Sequence, residues 1–124
     1  MSVKTINGKL VFETTFAFDF DGTISQDEDG MIHLMNYLRN RGHNVIVVTG
    51  RREGIHDEDF DNVRSWGFPV YKTKYLAKRA YMREIEGIEV DVWIDDCPEA
   101  ILENLEGTPK CNTFRDLNKE TVNA

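Results

Sequence analysis

The chain has 124 residues, of which 40% are hydrophobic and 30% charged, and carries a formal net charge of −7. That length suits one domain of residues 1–124, and the composition excludes a disordered chain. The acidic balance argues against non-specific binding to polynucleotides; no stretch is apolar enough for a bilayer span or a secretory signal, so Cys97 and Cys111 are expected as free thiols of a cytoplasmic protein.

Apolar runs and helically spaced segments alternate along the chain, the pattern of an α/β domain. Asn7 and Gly8 separate two apolar-rich stretches, a hairpin signal, so residues 1–13 are expected to form an N-terminal hairpin. Residues 15–20 read as the first central strand. Met31, Leu34, Met35 and Leu38 follow helical spacing, with Gly42 as the stop. Residues 45–48 form a continuous apolar run, typical of a strand covered on both faces. A second helix is expected over 57–66, ended by Gly67. A strand over 68–71, a helix over 75–85, a strand over 90–94 and a helix over 98–105 follow. Residues 110–114 complete the pattern as a short edge strand.

The chemistry-bearing residues fall where these apolar runs end. Asp19 and Asp21 lie two apart at the end of the first run, and alternation along a strand starts them on one side, with Phe18 and Phe20 on the other. In open α/β sheets the ligand crevice lies at the carboxyl ends of the strands. Two carboxylates that close repel each other, and a hard divalent cation such as Mg2+ relieves the repulsion. The second run leads into Thr49, Gly50, Arg51 and Arg52, and the fourth into Asp95 and Asp96. A basic block of Lys72, Lys74, Lys78, Arg79 and Arg83 lies between them, read as a solvated helix face in preference to a substrate funnel.

Taken in this order, the segments from Asp19 to Thr23, at Thr49, at a lysine, and at Asp95 and Asp96 resemble the motifs of the haloacid-dehalogenase-like (HAD) phosphohydrolases. The resemblance spans about two thirds of the chain. It implies a three-layer α/β/α, Rossmann-like fold with a mostly parallel sheet. The short gaps from Asp21 to Thr49 and from Thr49 to Lys78 leave no room for a cap domain. It also implies a Mg2+-dependent phosphomonoester hydrolase with Asp19 as nucleophile and Asp21 as acid and base. Phosphate would be held by Gly22, Thr23, Thr49, Gly50 and Lys78, with Lys74 as the alternative lysine. Metal would be held by Asp19, the Asp21 carbonyl, Asp95 and Asp96, although Asp96 also fits as the N-cap of the helix beginning at Pro98.

A capless site takes its selectivity from nearby loops, a neighbouring subunit or a bulky substrate. Residues 25–30 and 52–57 are the expected rim, with Arg51 and Arg52 as clamps for a second anionic group. The first substrate class is a small phosphorylated metabolite, a sugar phosphate or a nucleotide. The alternative is a nucleic-acid 3′-phosphatase, since the segments ending at Arg51 and Asp96 also look like the phosphatase half of polynucleotide kinase-phosphatases. Rivals of another class are a receiver-like domain, disfavoured because its acidic pair comes first, and a non-catalytic phosphate-binding or regulatory protein. No membrane partner is expected, and a homo-oligomer stays open.

Overall fold

The computed structural model describes residues 2–101. The expected edge strand at 110–114, residues 102–105 of the last helix, and Cys111 lie outside the described residues. Strands β1 (Val3–Ile6) and β2 (Lys9–Phe12) form an antiparallel hairpin. Its turn places Asn7 and Gly8 at φ of 52° and 77°, the left-handed pair that matches strand twist in a two-residue hairpin.

The chain then alternates strand and helix. It runs through β3 (Thr15–Phe18), α1 (Glu28–Asn40), β4 (Asn44–Thr49), α2 (Asp61–Ser65), β5 (Val70–Lys72), α3 (Lys78–Tyr81) and β6 (Val92–Ile94). The four later strands make one sheet in the order β5-β4-β3-β6, each neighbouring pair parallel. Parallel neighbours need crossovers, which the helical segments supply. Alternation along β3 and β4 then divides two cores. Phe18, Val45 and Val47 pack with Ile32 and Met35 of α1 and with Phe60 and Val63. Ala17, Ile46 and Val48 pack on the other face with Tyr81 and Met82. The result is an α/β fold on a four-stranded parallel sheet, compatible with a Rossmann-like architecture. Among the described residues no helix is long and apolar enough to cross a membrane.

Two expected helices are shorter than their sequence patterns suggest. The segment 57–66 opens as a tight 3-10 turn, Asp57–Phe60, before α2. His56 enters it at a φ of 44°. Asp57 is drawn to Lys72 and Arg64, and Asp59 to Arg51, so ion pairs outside the helical i, i+4 spacing outweigh α-helical regularity here. The segment 75–85 becomes helical only at Lys78 and loosens into a π-helical turn, Met82–Glu86. Ahead of it the Thr73, Lys74 and Tyr75 amides bond to the carbonyls of Thr49, Arg51 and Gly50. Lys74 and Tyr75 take φ of 58° and 66°, closing a turn against Thr73 rather than starting a helix.

The basic block is not a uniform solvated face. Lys72 and Lys78 are buried, and only Lys74 and Arg83 of the five are exposed. No cysteine among the described residues is free, which corrects the free-thiol expectation for Cys97.

Arg64, and after it Lys72, hold the Asp57 carboxyl down at about 2 from its ordinary 3.8. A lowered folded-state value stabilises the fold wherever the unfolded chain would already be ionised. The contribution is therefore whole above about pH 4 and lost as pH falls towards 2. In urea unfolding, Asp57→Asn should lower the midpoint at pH 6, and its gap to wild type should close as pH falls from 4 towards 2.

Candidate active site

Because the central strands are parallel, their carboxyl ends lie along one edge of the sheet. Asp19 follows β3 and extends its ladder by one bond, its N–H reaching the Ile94 carbonyl at 2.9 Å. That bond sets Asp19 beside the end of β6, where Asp95 and Asp96 begin. Carboxylate oxygens of Asp19, Asp95 and Asp96 all lie within 4.8 Å of one another. Lys78, the first residue of α3, reaches in from the crossover. Its Nζ stands 2.8 Å from Asp19 Oδ1 and 2.6 Å from Asp95 Oδ2. Of the two lysines left open by the sequence, Lys78 is the one at the carboxylates, while Lys74 is exposed in its turn.

Asp19, Lys78 and the Asp95 carboxylate are buried, which sharpens their electrostatics, whereas Asp96 is exposed. Burial, with the Asp95 charge adding to it, pushes the Asp19 carboxyl up to about 8, although Lys78 opposes the rise. Burial pulls the Lys78 ammonium down, but Asp19 and Asp95 outweigh it and hold Lys78 above its ordinary range. Three clustered carboxylates thus share one ammonium, which bonds to two of them. With no further positive charge, burial and Asp95 favour the protonated form of Asp19, which is a poor nucleophile. The donor set is all oxygen and its charge surplus is negative, which fits a hard divalent cation such as Mg2+. The second oxygen of Asp95 accepts the Cys97 N–H at 2.9 Å, which orients that carboxylate.

Asp96 is exposed and leans over Gly22. A Cβ built on Gly22 would meet Asp96 Oδ2 at 2.2 Å, and Gly22 sits at a φ of 83°, so the position suits glycine on two counts. The Gly22 N–H bonds to Ser25 Oγ at 2.9 Å and the Thr23 N–H to the Phe20 carbonyl at 3.2 Å, so this loop is closed on itself. Thr49 is fully buried at the end of β4, and its hydroxyl faces the Arg51 N–H at 3.4 Å. Gly50 accepts the Tyr75 N–H at 2.7 Å and has open space where a Cβ would stand.

Asp21 is not part of that carboxylate cluster. Its two oxygens receive a bidentate pair from Arg51, Nε at 2.9 Å and Nη2 at 2.7 Å. Arg51 Nη1 also reaches Asp59 at 2.8 Å and the His56 carbonyl at 3.2 Å. The hydrogen bond to Asp21, chief among these contacts, holds the guanidinium well above its ordinary range. Arg51, expected as a clamp for substrate, has its fork on Asp21 in this structure. Sequence reasoning missed this pair, since nothing in the spacing of Asp21 and Arg51 marks them as partners. Arg52 lies on the rim with its guanidinium 5.3 Å from the centre of the Tyr75 ring. A cavity of about 560 Å3 opens beside Asp21, with Phe20, Ser25, Glu28, Arg51 and Asp59 among its lining.

No family model matches this chain. No solved structure matches it. Over 42 residues it is 52% identical to a phosphoglycolate phosphatase from Nitrosopumilus maritimus (strain SCM1), covering 30% of this chain and 18% of that protein. The chain thus spans less than a fifth of the curated relative it matches.

Gly22→Ala should destabilise the fold by about 1–2 kcal/mol through its left-handed backbone alone. The new methyl should also push the Asp96 carboxylate off Gly22 and away from Asp19. Thermal unfolding with and without Mg2+ checks this: the metal-induced rise in Tm should be smaller than in wild type. An equal rise in both proteins would show that Asp96 is not needed by the cation.

Proposed function

We propose that this chain is a capless, HAD-like phosphomonoester hydrolase that works through an aspartyl-phosphate on Asp19 and needs Mg2+. Its substrate is a small phosphorylated metabolite, a sugar phosphate or a nucleotide. The observation that carries the reading is the meeting of Asp19, Asp95 and Asp96, with the Lys78 ammonium bridging Asp19 and Asp95. The partial likeness to a phosphatase supports it from a separate direction.

Each residue has a task the chemistry requires. An Asp19 oxygen attacks phosphorus and the bond to the leaving oxygen breaks. Asp21 gives its proton to that leaving oxygen. Water then attacks the aspartyl-phosphate, Asp21 takes a proton from it, and inorganic phosphate leaves with Asp19 restored. The transferring phosphoryl group spreads negative charge over its equatorial oxygens. The Lys78 ammonium, the Thr49 hydroxyl and the Gly50 amide are the donors for that charge, and the Gly22 and Thr23 amides join them only on leaving Ser25 and Phe20. Mg2+ held by Asp19, Asp95, Asp96 and the Asp21 carbonyl would neutralise the carboxylate surplus and draw charge from the phosphoryl oxygens.

A phosphate-release screen over phosphorylated metabolites, run with Mg2+ and with EDTA, tests the reading. Wild type should release phosphate only with the metal, and Asp19→Asn should fall to background. Equal release by wild type and Asp19→Asn would refute Asp19 as the nucleophile.

A further inference from the structure

The Asp21–Arg51 pair is the feature of this site to which the proposed reaction gives no task. Arg51 spends Nε and Nη2 on the two oxygens of Asp21, at 2.9 and 2.7 Å. A planar fork of this kind fixes the plane of a carboxylate, which a single ammonium cannot do. The fork is itself held still. The guanidinium lies 5.5 Å from the centre of the Phe20 ring and 4.9 Å from that of Phe60. Both rings belong to the core, and they pack edge to face with centroids 4.8 Å apart. Nη1, which lies away from Asp21, bonds to the His56 carbonyl and meets Asp59 at the rim. A rigid chain of contacts therefore runs from the core, through Arg51, to a carboxylate that is itself 39% exposed.

We infer that Arg51 is a positioning residue, whose fork sets the plane of the Asp21 carboxylate towards the leaving-group oxygen. The inference rests on the phosphatase reading above. The fork takes one acceptor site on each Asp21 oxygen, of the roughly four that an ionised carboxylate offers. The contact with Asp59 has a different role: it fastens the rim loop and acts on stability.

The chemistry of the leaving group separates positioning from mere stapling. The p-nitrophenolate of p-nitrophenyl phosphate departs without a proton, whereas the alkoxide of glycerol phosphate needs one. Both esters would be followed by single-turnover release of the alcohol with the full chain and Mg2+, so that the later hydrolysis step is not read. Arg51→Lys should slow release from glycerol phosphate by roughly 10²-fold, the lower end of what positioned acid catalysis supplies. It should leave p-nitrophenol release within a few fold. Asp21→Asn should show the same selective loss, and adding Arg51→Lys to it should cost nothing more on glycerol phosphate.

Because the readout is a ratio of two substrates on one preparation, a partly unfolded fraction does not alter it. Asp59→Asn should lower Tm and leave the ratio unchanged. Equal losses on both esters in Arg51→Lys, multiplying losses in the double variant, or a changed ratio in Asp59→Asn would each overturn the inference. If wild type released neither alcohol in the presence of Mg2+, and a metabolite panel likewise gave no turnover, the phosphatase reading would fail and this inference with it.

Discussion

Three carboxylates, those of Asp19 and Asp95 out of water and that of Asp96 exposed, and one buried ammonium set the terms for the rest of this molecule. Asp19, Asp95 and Asp96 have oxygens within 4.8 Å of one another, and Lys78 bridges two of them. Like charges this close in a low-dielectric site repel strongly, and one ammonium cannot offset all three. The fold holds them there because Asp19 and Asp95 follow neighbouring parallel strands whose ladder continues to the Asp19 N–H. Such an arrangement costs stability unless something positive completes it. A site built at that cost is a reason to look for chemistry there.

The sheet and its two cores exist on either side of that edge. Phe18 and Ala17 face opposite cores from one strand, which leaves the strand end free to carry Asp19. Lys78 arrives through the crossover between β5 and β6, after a left-handed turn at Lys74 and Tyr75 that aligns residues 73–75 with residues 49–51. That ladder fixes where α3 begins and hence where the ammonium sits. On the far side of Asp21, Arg51 joins the strand end to the rim loop and rests on Phe20 and Phe60. Anchoring to the core and accessibility at the edge thus coexist within a few residues.

Much of this was legible in the sequence where the signal is local. Continuous apolar runs ending in Asp19, Thr49 and Asp95 marked strands of a doubly covered sheet, and parallel strands bring their ends to one edge. The Asn7-Gly8 pair marked a turn through backbone preference alone. What stayed hidden depends on partners far apart in the chain. Asp57, Asp59 and Asp61 read as ordinary helix residues, yet pairing of Asp57 with Lys72 and Arg64, and of Asp59 with Arg51, tightens the first turn of that segment. The bonds from residues 73–75 to residues 49–51 likewise delay α3, which periodicity placed at Tyr75. Arg51 next to Thr49 suggested an anion clamp, and only the folded chain brings Asp21 into its fork. In each case an ion pair or backbone bond outside the regular helical spacing overrides a local preference.

The central claim is that the carboxylate cluster beside Lys78 holds a divalent cation. Electron paramagnetic resonance with Mn2+ in place of Mg2+ tests it most directly, because bound and free Mn2+ give distinct signals. The account predicts saturable binding of Mn2+ by the wild-type chain, competed away by Mg2+ and strongly weakened in Asp95→Asn. Absence of binding in the folded wild-type protein, or binding that Asp95→Asn leaves unchanged, would contradict it.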